Sequence, residues 1–268
     1  FYNDLEMKNI SIIGAGNMGA ALAVGLSDAG YAVRISNRSV SKLERLRLKG
    51  GIVTTLSNTE VIDDADLLVI AVQPSSLADV VDEIGPRINY NHTIVASLLP
   101  EESMADLEKR FAAFNKAPMI ARVMPNTAVA VGESMTFICL NEYSEAYSTE
   151  ISRVFETVGK VEVIKESIFP SVMMLCSCGL AYAFRYIRAA SEGGVCTGLE
   201  ADAACRYVCQ TLRGAAEMIE RFRLRPEAAV DTVTTPGGIT VRGLVAMEKA
   251  GFSPSVIAGL TVKSRSHE

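Results

Sequence analysis

The chain has 268 residues, 49% hydrophobic and 21% charged, a balance that excludes a disordered or fibrous protein. Lys and Arg number 26 against 31 Asp and Glu, a net charge of −5, which excludes a dominant electrostatic grip on nucleic acid. Two histidines occur, His92 and His267, so a His-rich zinc site or a Ser-His-Asp triad would have to rest on His92.

At about 150 residues per domain, the length fits two domains or one large one. Residues Phe1 to Glu6 hold no cationic region followed by an apolar one, so no targeting segment is expected. The longest apolar stretch, Phe169 to Phe184, stops at Arg185, short of the roughly 20 residues a membrane span needs. Burial in a core or a subunit interface is expected there, with no membrane partner. The six cysteines, Cys139, Cys176, Cys178, Cys196, Cys205 and Cys209, lack CxxC spacing. They read as buried thiols of a cytoplasmic protein without a metal site.

In chain order, Asn9 to Ile13 reads as a strand, and Met18, Leu22, Leu26 and Ala29 then fall at helical spacing up to Gly30. Tyr31 to Ser36 is a second strand, Ser41 to Leu48 a helix, and Ile52 to Thr55 a short strand. Asp66 to Val72 is apolar on both faces, as in a parallel sheet. Helix Ser75 to Ile84, strand Thr93 to Ser97, helix Glu102 to Phe111 and strand Met119 to Val123 follow. This alternation predicts a doubly wound α/β sheet with helices on both faces.

Beyond about residue 160 no strand is expected. Ser167 to Ala190, Glu200 to Phe222 and Ile239 to Ala250 are long helical patterns, with a short segment at Pro226 to Asp231. The predicted organisation is a Rossmann-type domain over 7–164 and an all-helical domain over 165–268.

Gly14-Ala15-Gly16-Asn17-Met18-Gly19 is a G-x-G-x-x-G between the first strand and the first helix. Gly14 permits the tight turn, Gly16 lets backbone approach a pyrophosphate, and Gly19 allows the helix to pack closely. The N–H groups of the helix start would face phosphates; a glycine turn without ligand is the alternative. About 20 residues on, an NAD site wants a carboxylate. This chain has Ser36-Asn37-Arg38-Ser39, and Arg38 suits a 2′-phosphate, so NADPH is expected with NADH weaker. Arg38 as a solvated loop cation is the alternative.

Two further loops, Ala71-Val72-Gln73-Pro74 and Met124-Pro125-Asn126-Thr127, stand at the C-terminal ends of strands, where doubly wound sheets bind ligands. Thr234-Thr235-Pro236-Gly237-Gly238-Ile239-Thr240 opens the last strong helix. Free N–H groups at that helix start can hold a carboxylate, and Thr240 adds a hydroxyl. An ordinary N-cap with a glycine hinge reads equally well.

These four motifs, in this order, resemble pyrroline-5-carboxylate reductase over nearly the whole chain, from about Asn9 to the last helix. The resemblance implies a Rossmann domain, a helical domain that builds an intertwined dimer, and reduction of the cyclic imine 1-pyrroline-5-carboxylate to proline by NAD(P)H. It implies a homodimer or a larger assembly of dimers. By position it assigns Gly14, Ala15, Gly16, Asn17, Met18, Ser36, Asn58 and Ala71, Val72, Gln73, Pro74 to the cofactor. It assigns Gly237, Gly238, Ile239 and Thr240 to the substrate, with Glu166 near the same pocket and Thr240 on the imine side of the ring.

Departures from the family pattern cluster in Cys176-Ser177-Cys178-Gly179-Leu180-Ala181-Tyr182, where the family usually has Ser-Gly-Ser-Gly-Pro-Ala-Tyr. Leu98-Leu99-Pro100 replaces a glycine-rich turn, Ala128 follows the Pro-Asn-Thr, and Thr232 stands where Asn is common. Two other readings therefore stay open: a reductase for another small imine, and a non-catalytic sensor of NADP(H) or a metabolite. A protonated imine is already an electrophile, so hydride transfer needs positioning more than a general base. Lys165 and Tyr182 stay open as proton-handling residues.

Overall fold

The computed structural model describes residues 7–262. The expectation for Phe1 to Glu6, and His267, lie outside the described residues. Two compact units are separated between Ser177 and Cys178.

The first unit is built on an eight-stranded sheet of order β3-β2-β1-β4-β5-β6-β7-β8. The strands are β1 (Asn9–Ile13), β2 (Ala32–Ser36), β3 (Ile52–Thr55), β4 (Leu67–Ile70), β5 (Ile94–Ser97), β6 (Ile120–Met124), β7 (Ser134–Leu140) and β8 (Gly159–Val163). All four residues of β4 are buried, which its unbroken apolar run demands in the middle of a parallel sheet. Each such side chain contributes on the order of 1.5–3 kcal/mol by leaving water.

Helices cover both faces. On one, α1 (Asn17–Asp28), α2 (Val40–Arg47) and α6 (Ser148–Glu156) send Leu22, Leu26, Leu43, Leu46, Ile151 and Phe155 into a core with Ile10, Ile12 and Val69. On the other, α3 (Asn58–Val61), α4 (Leu77–Ile84) and α5 (Met104–Phe111) bring Val61, Leu77, Val81, Ile84, Leu107 and Phe111 against Ile13, Leu68 and Ile70. The alternation along each strand assigns successive side chains to opposite cores.

The sheet is mixed where the sequence pattern predicted parallel strands only. β7 runs antiparallel to β6, and β8 parallel to β7. Neither strand was legible: β7 mixes Ser134 and Thr136 with apolar residues, and β8 is a half-exposed edge carrying Lys160 and Glu162. The alternation of apolar and polar residues is blurred at both.

The backbone is helical from Phe169 to Cys196, through α7 (Phe169–Val172), a π-helical stretch (Met173–Cys178) and α8 (Gly179–Cys196). The helix over 166–196 is long and apolar enough to cross a membrane by length and composition. The length argument from the sequence is thereby corrected: a single Arg185 does not end the helix.

The second unit holds α8, α9 (Ala201–Phe222), α10 (Pro226–Thr232), α11 (Ile239–Lys249) and α12 (Phe252–Leu260). The last of these was not predicted. α8 and α9 cross closely at Gly194, where an added Cβ would lie 3.0 Å from that of Ala204. Tyr182 donates from its hydroxyl to the Gly259 carbonyl at 2.9 Å, and Tyr186 meets Phe252 edge-on. Ala204 is nevertheless the one buried residue among the described residues of this unit.

Candidate active site

The β1–α1 turn is shaped by close approach. Gly14 has φ +108°, and a Cβ there would lie 2.4 Å from the Ala71 carbonyl oxygen at the end of β4. A Cβ on Gly19 would lie 2.0 Å from the Gly14 oxygen, so the helix seats directly on its own turn. Gly16, the N-cap of α1, meets nothing within 4 Å, and no side chain caps the helix. The result is an open cradle of backbone N–H groups at a helix start, which fits a pyrophosphate. Gly14 and Gly19 therefore make the tight turn and the close helix packing read from the sequence, and Gly16 stands at the open helix start.

A cleft of about 230 Å³ extends from this turn. Of the expected cofactor residues, Gly14, Gly16, Asn37, Arg38, Asn58, Ala71, Val72 and Gln73 line it. Ser36 is buried beneath, its hydroxyl donating to Asn58 Oδ1 at 2.7 Å. Ala15 is buried, and its N–H donates to Asn37 Oδ1 at 3.3 Å, so Asn37 braces the turn. Asn17, Met18 and Pro74 flank the cleft without being among its lining residues.

The cleft also contains Lys42, Ser76, Asp79, Val80 and Glu83, none of which the sequence singled out. Lys42 was findable: four residues after Arg38, in the first turn of α2, it returns to the same side. Asp79 and Glu83 are one helical turn apart on α4, but only the tertiary fold brings α4 to the cleft that Asn37 and Arg38 also line. Glu83 Oε2 accepts from Asn58 Nδ2 at 2.7 Å.

The Met124–Thr127 loop follows β6 as expected. Asn126 is buried and makes several bonds at once. Its N–H donates to Ser134 Oγ, its Oδ1 accepts from the Ala128 N–H, and its Nδ2 donates to the Cys176 carbonyl at 3.3 Å. That carbonyl lies in the π-helical stretch, where the helical hydrogen-bond ladder is loosened. The altered Cys176–Leu180 segment thus begins at a helix defect held by Asn126.

Glu166 packs within the first unit. Its Oε1 accepts from Arg122 Nη1 at 2.5 Å and from the Met104 N–H at the start of α5 at 2.7 Å. Arg122 is buried, its guanidinium 4.0 Å from the centroid of the Phe169 ring, with Nη2 donating to the Pro100 carbonyl. Arg122 stands in register with Cys139 across β6 and β7. Burial pushes the Cys139 thiol up, with Glu166 adding to the shift and Arg122 opposing it.

The glycine loop in the second unit is a type II turn. Pro236 precedes Gly237 at φ +70°, and the Gly238 N–H donates to the Thr235 carbonyl at 2.9 Å. Two details of the sequence reading change. The Gly238 N–H is spent inside the turn, and Gly237 carries the conformational requirement. Gly238 has an ordinary φ of −67°, but an added Cβ would lie 2.5 Å from Thr235 Oγ1 and 3.0 Å from its carbonyl oxygen. No side chain caps α11. Its first N–H groups lie beside exposed Ile239 and Thr240.

The six cysteines are free thiols; Cys139 is buried, Cys176, Cys178 and Cys209 are half-buried, and Cys196 and Cys205 are exposed. The expectation of buried thiols fails for Cys196 and Cys205, which open onto a groove between α8 and α9. Among the described residues no group of His, Cys, Asp or Glu is placed to hold a metal ion. His92 pairs with Asp66 at 2.6 Å, and Asp66 also accepts the N–H groups of Lys8 and Asn9.

Comparison with known proteins agrees with this geometry. A family model described as pyrroline-5-carboxylate reductase dimerisation matches residues 166–267, and one described as NADP oxidoreductase, coenzyme F420-dependent, matches 9–101. Pyrroline-5-carboxylate reductase 1 of Dictyostelium discoideum is 32% identical over 96% of this chain, which spans 49% of that longer protein. Pyrroline-5-carboxylate reductase 2 of the same organism is 30% identical, over 96% of this chain and 91% of its own length. The structure of a pyrroline-5-carboxylate reductase from Coxiella burnetii superposes with a TM-score of 0.84, 30% identity and 95% of each chain covered. The Plasmodium falciparum pyrroline carboxylate reductase, with NADP bound, gives 0.82 at 27% identity, over 95% of this chain and 94% of that one. With the phosphate turn, the Met-Pro-Asn-Thr loop and the Pro-Gly-Gly turn all in place, the chain belongs to the pyrroline-5-carboxylate reductase family of oxidoreductases.

Proposed function

We propose that this chain reduces 1-pyrroline-5-carboxylate to proline in the cytoplasm with NADPH, NADH binding more weakly, and that it does so as a homodimer or an assembly of dimers. The observation that carries this reading is the Pro236–Gly237 turn, which leaves the start of an 11-residue helix uncapped and exposed beside Thr240. A carboxylate is the natural guest of such N–H groups, and the substrate brings one.

NADPH supplies the hydride when bound. Gly14 and Gly16 clear space for its pyrophosphate, and Arg38 with Lys42 offers two cations for its 2′-phosphate. Gly237 and Gly238 shape the loop that orients the ring carboxylate, with Ile239 beside it. The Thr240 hydroxyl hydrogen-bonds the ring nitrogen. The protonated imine needs no general base, so these residues act by positioning.

Homodimerisation is supported by the apolar surface of the second unit. Phe184, Tyr207, Phe222, Val245, Val256 and Ile257 are all exposed in the single chain. That much exposed apolar side chain calls for a partner, and the match to a dimerisation family makes a second copy the choice.

The test is NADPH oxidation by purified protein with the cyclic imine and a panel of related imines. Turnover of 1-pyrroline-5-carboxylate supports the reading. Turnover of a different imine only, or cofactor binding without turnover, favours the alternatives raised by the altered Cys176–Leu180 segment.

A further inference from the structure

We propose that Glu83 recognises the adenine base of the dinucleotide through its 6-amino group, which makes it a specificity-determining residue. The assignment rests on the NADPH reading above and names a residue of that same cleft.

Phosphates occupy the cradle at Gly14 and Gly16, and the adenosine sugar then lies at the end of β2, beside Asn37, Arg38 and Lys42. Apart from Ile13 and the Ala71–Gln73 loop, the lining that remains is Asn58 on α3, Ser76 just ahead of α4, and Asp79, Val80 and Glu83 on α4. A base attached to that sugar has this wall to rest on. Val80 supplies the apolar contact for a ring face. The amino group on the ring edge requires an acceptor.

Asn58 is spent. Its Oδ1 accepts from Ser36 Oγ at 2.7 Å, and its Nδ2 donates to Glu83 Oε2 at 2.7 Å. That second bond fixes the Glu83 carboxylate. Its other oxygen accepts no hydrogen bond among the described residues, and an ionised carboxylate can only accept. Asp79, one turn away, has no hydrogen bond to its side chain among the described residues. Glu83 is therefore the pre-organised acceptor. Ser36, Asn58 and Glu83 form a relay that ties β2 through α3 to α4.

The experiment measures dissociation constants for NADPH and for its 6-desamino analogue, whose base is purine, by the fluorescence of the reduced nicotinamide. The chain has no tryptophan, so the signal carries no indole background. Unmodified protein should bind the analogue about tenfold more weakly, the size of one hydrogen bond to a charged group. Glu83→Ala should bring the ratio close to one. Glu83→Gln should do the same, because its oxygen stays with Asn58 Nδ2 and its NH₂ turns toward the base. Asp79→Ala, the control on the same helix, should keep the ratio of the unmodified protein.

A ratio near one in the unmodified protein, or an undiminished ratio in Glu83→Ala, overturns the assignment while leaving the cofactor reading intact. If the unmodified protein binds neither NADPH nor NADH, the cofactor reading falls and the assignment with it.

Discussion

Glu166 Oε1 lies 2.5 Å from Arg122 Nη1, joining the segment after β8 to the central strand β6. The two partners differ in exposure: the Arg122 side chain is 6% accessible and that of Glu166 40%. Removing the carboxylate therefore strands a buried guanidinium, whereas removing the guanidinium leaves a carboxylate that water can reach. We predict that Glu166→Ala lowers unfolding stability by about 3 kcal/mol and that Glu166→Gln, which keeps an acceptor, costs about half as much. Urea unfolding followed on the sheet domain checks this. Equal stability for both variants and the unmodified protein would show the pair to be dispensable and would leave Glu166 to a substrate role.

Arg38 and Lys42 are two exposed cations of the cleft beyond the end of β2, and on the proposed reading they set cofactor choice. Arg38→Ala should weaken NADPH by about 1.5 kcal/mol, the lower end for a charged hydrogen bond because the site is open to solvent. Lys42→Ala should weaken it by about 0.5–1 kcal/mol. Neither should change NADH binding, which lacks the 2′-phosphate. Tighter binding of NADH than NADPH to the unmodified protein contradicts the assignment.

The helical unit is predicted to associate. Sedimentation at micromolar concentration should give a dimer or a multiple of it in plain buffer. A charge in the α8–α9 groove, as in Phe184→Asp, should shift the protein toward monomer. Unmodified protein that stays monomeric, or that needs detergent to remain in solution, would refute the second-copy reading.

On the proposed reading, variants of the glycine loop affect substrate and leave the cofactor in place. Gly238→Val forces its side chain against Thr235, so turnover should be abolished while NADPH affinity, which that reading assigns to Gly14, Gly16 and Arg38, stays nearly unchanged. Thr240→Ala should lower turnover less. Steady-state kinetics with direct cofactor titration resolves the two effects. Full activity in both variants would place the substrate elsewhere.

Helix α5 carries a capping box. Ser103 Oγ accepts from the Asp106 N–H at 3.1 Å, and the Asp106 carboxylate accepts from the Ser103 hydroxyl and N–H. The Ser103 hydroxyl, then its N–H, hold the Asp106 carboxyl below the ordinary carboxylate range. A depressed pKa stabilises the fold above the unfolded value and loses that contribution as pH falls through the folded one. Asp106→Asn should therefore be less stable at pH 7, with the gap closing at acid pH. A pH-independent difference in thermal unfolding would contradict this.

The sequence by itself determined the Rossmann half from β1 to β6, the phosphate turn and the helical second half. Those features rest on local patterns: buried parallel strands are continuously apolar, helices repeat near 3.6 residues, and Gly19 is required by a contact within its own strand-turn-helix unit, although the approach of Gly14 to Ala71 at the end of β4 is tertiary. Tertiary structure alone decided what depends on distant segments meeting. β7 is a strand because β6 offers it an edge and β8 because β7 does, not because their own residues alternate clearly. Arg122 is tolerable in a buried strand only because Glu166, 44 residues later, returns to it. Lys42 shares the cleft with Arg38 through a short helix turn, but Glu83 reaches Asn58 across 25 residues and two elements. Local periodicity encodes which element a residue belongs to; which side chains converge on one cleft is set by the winding of the sheet.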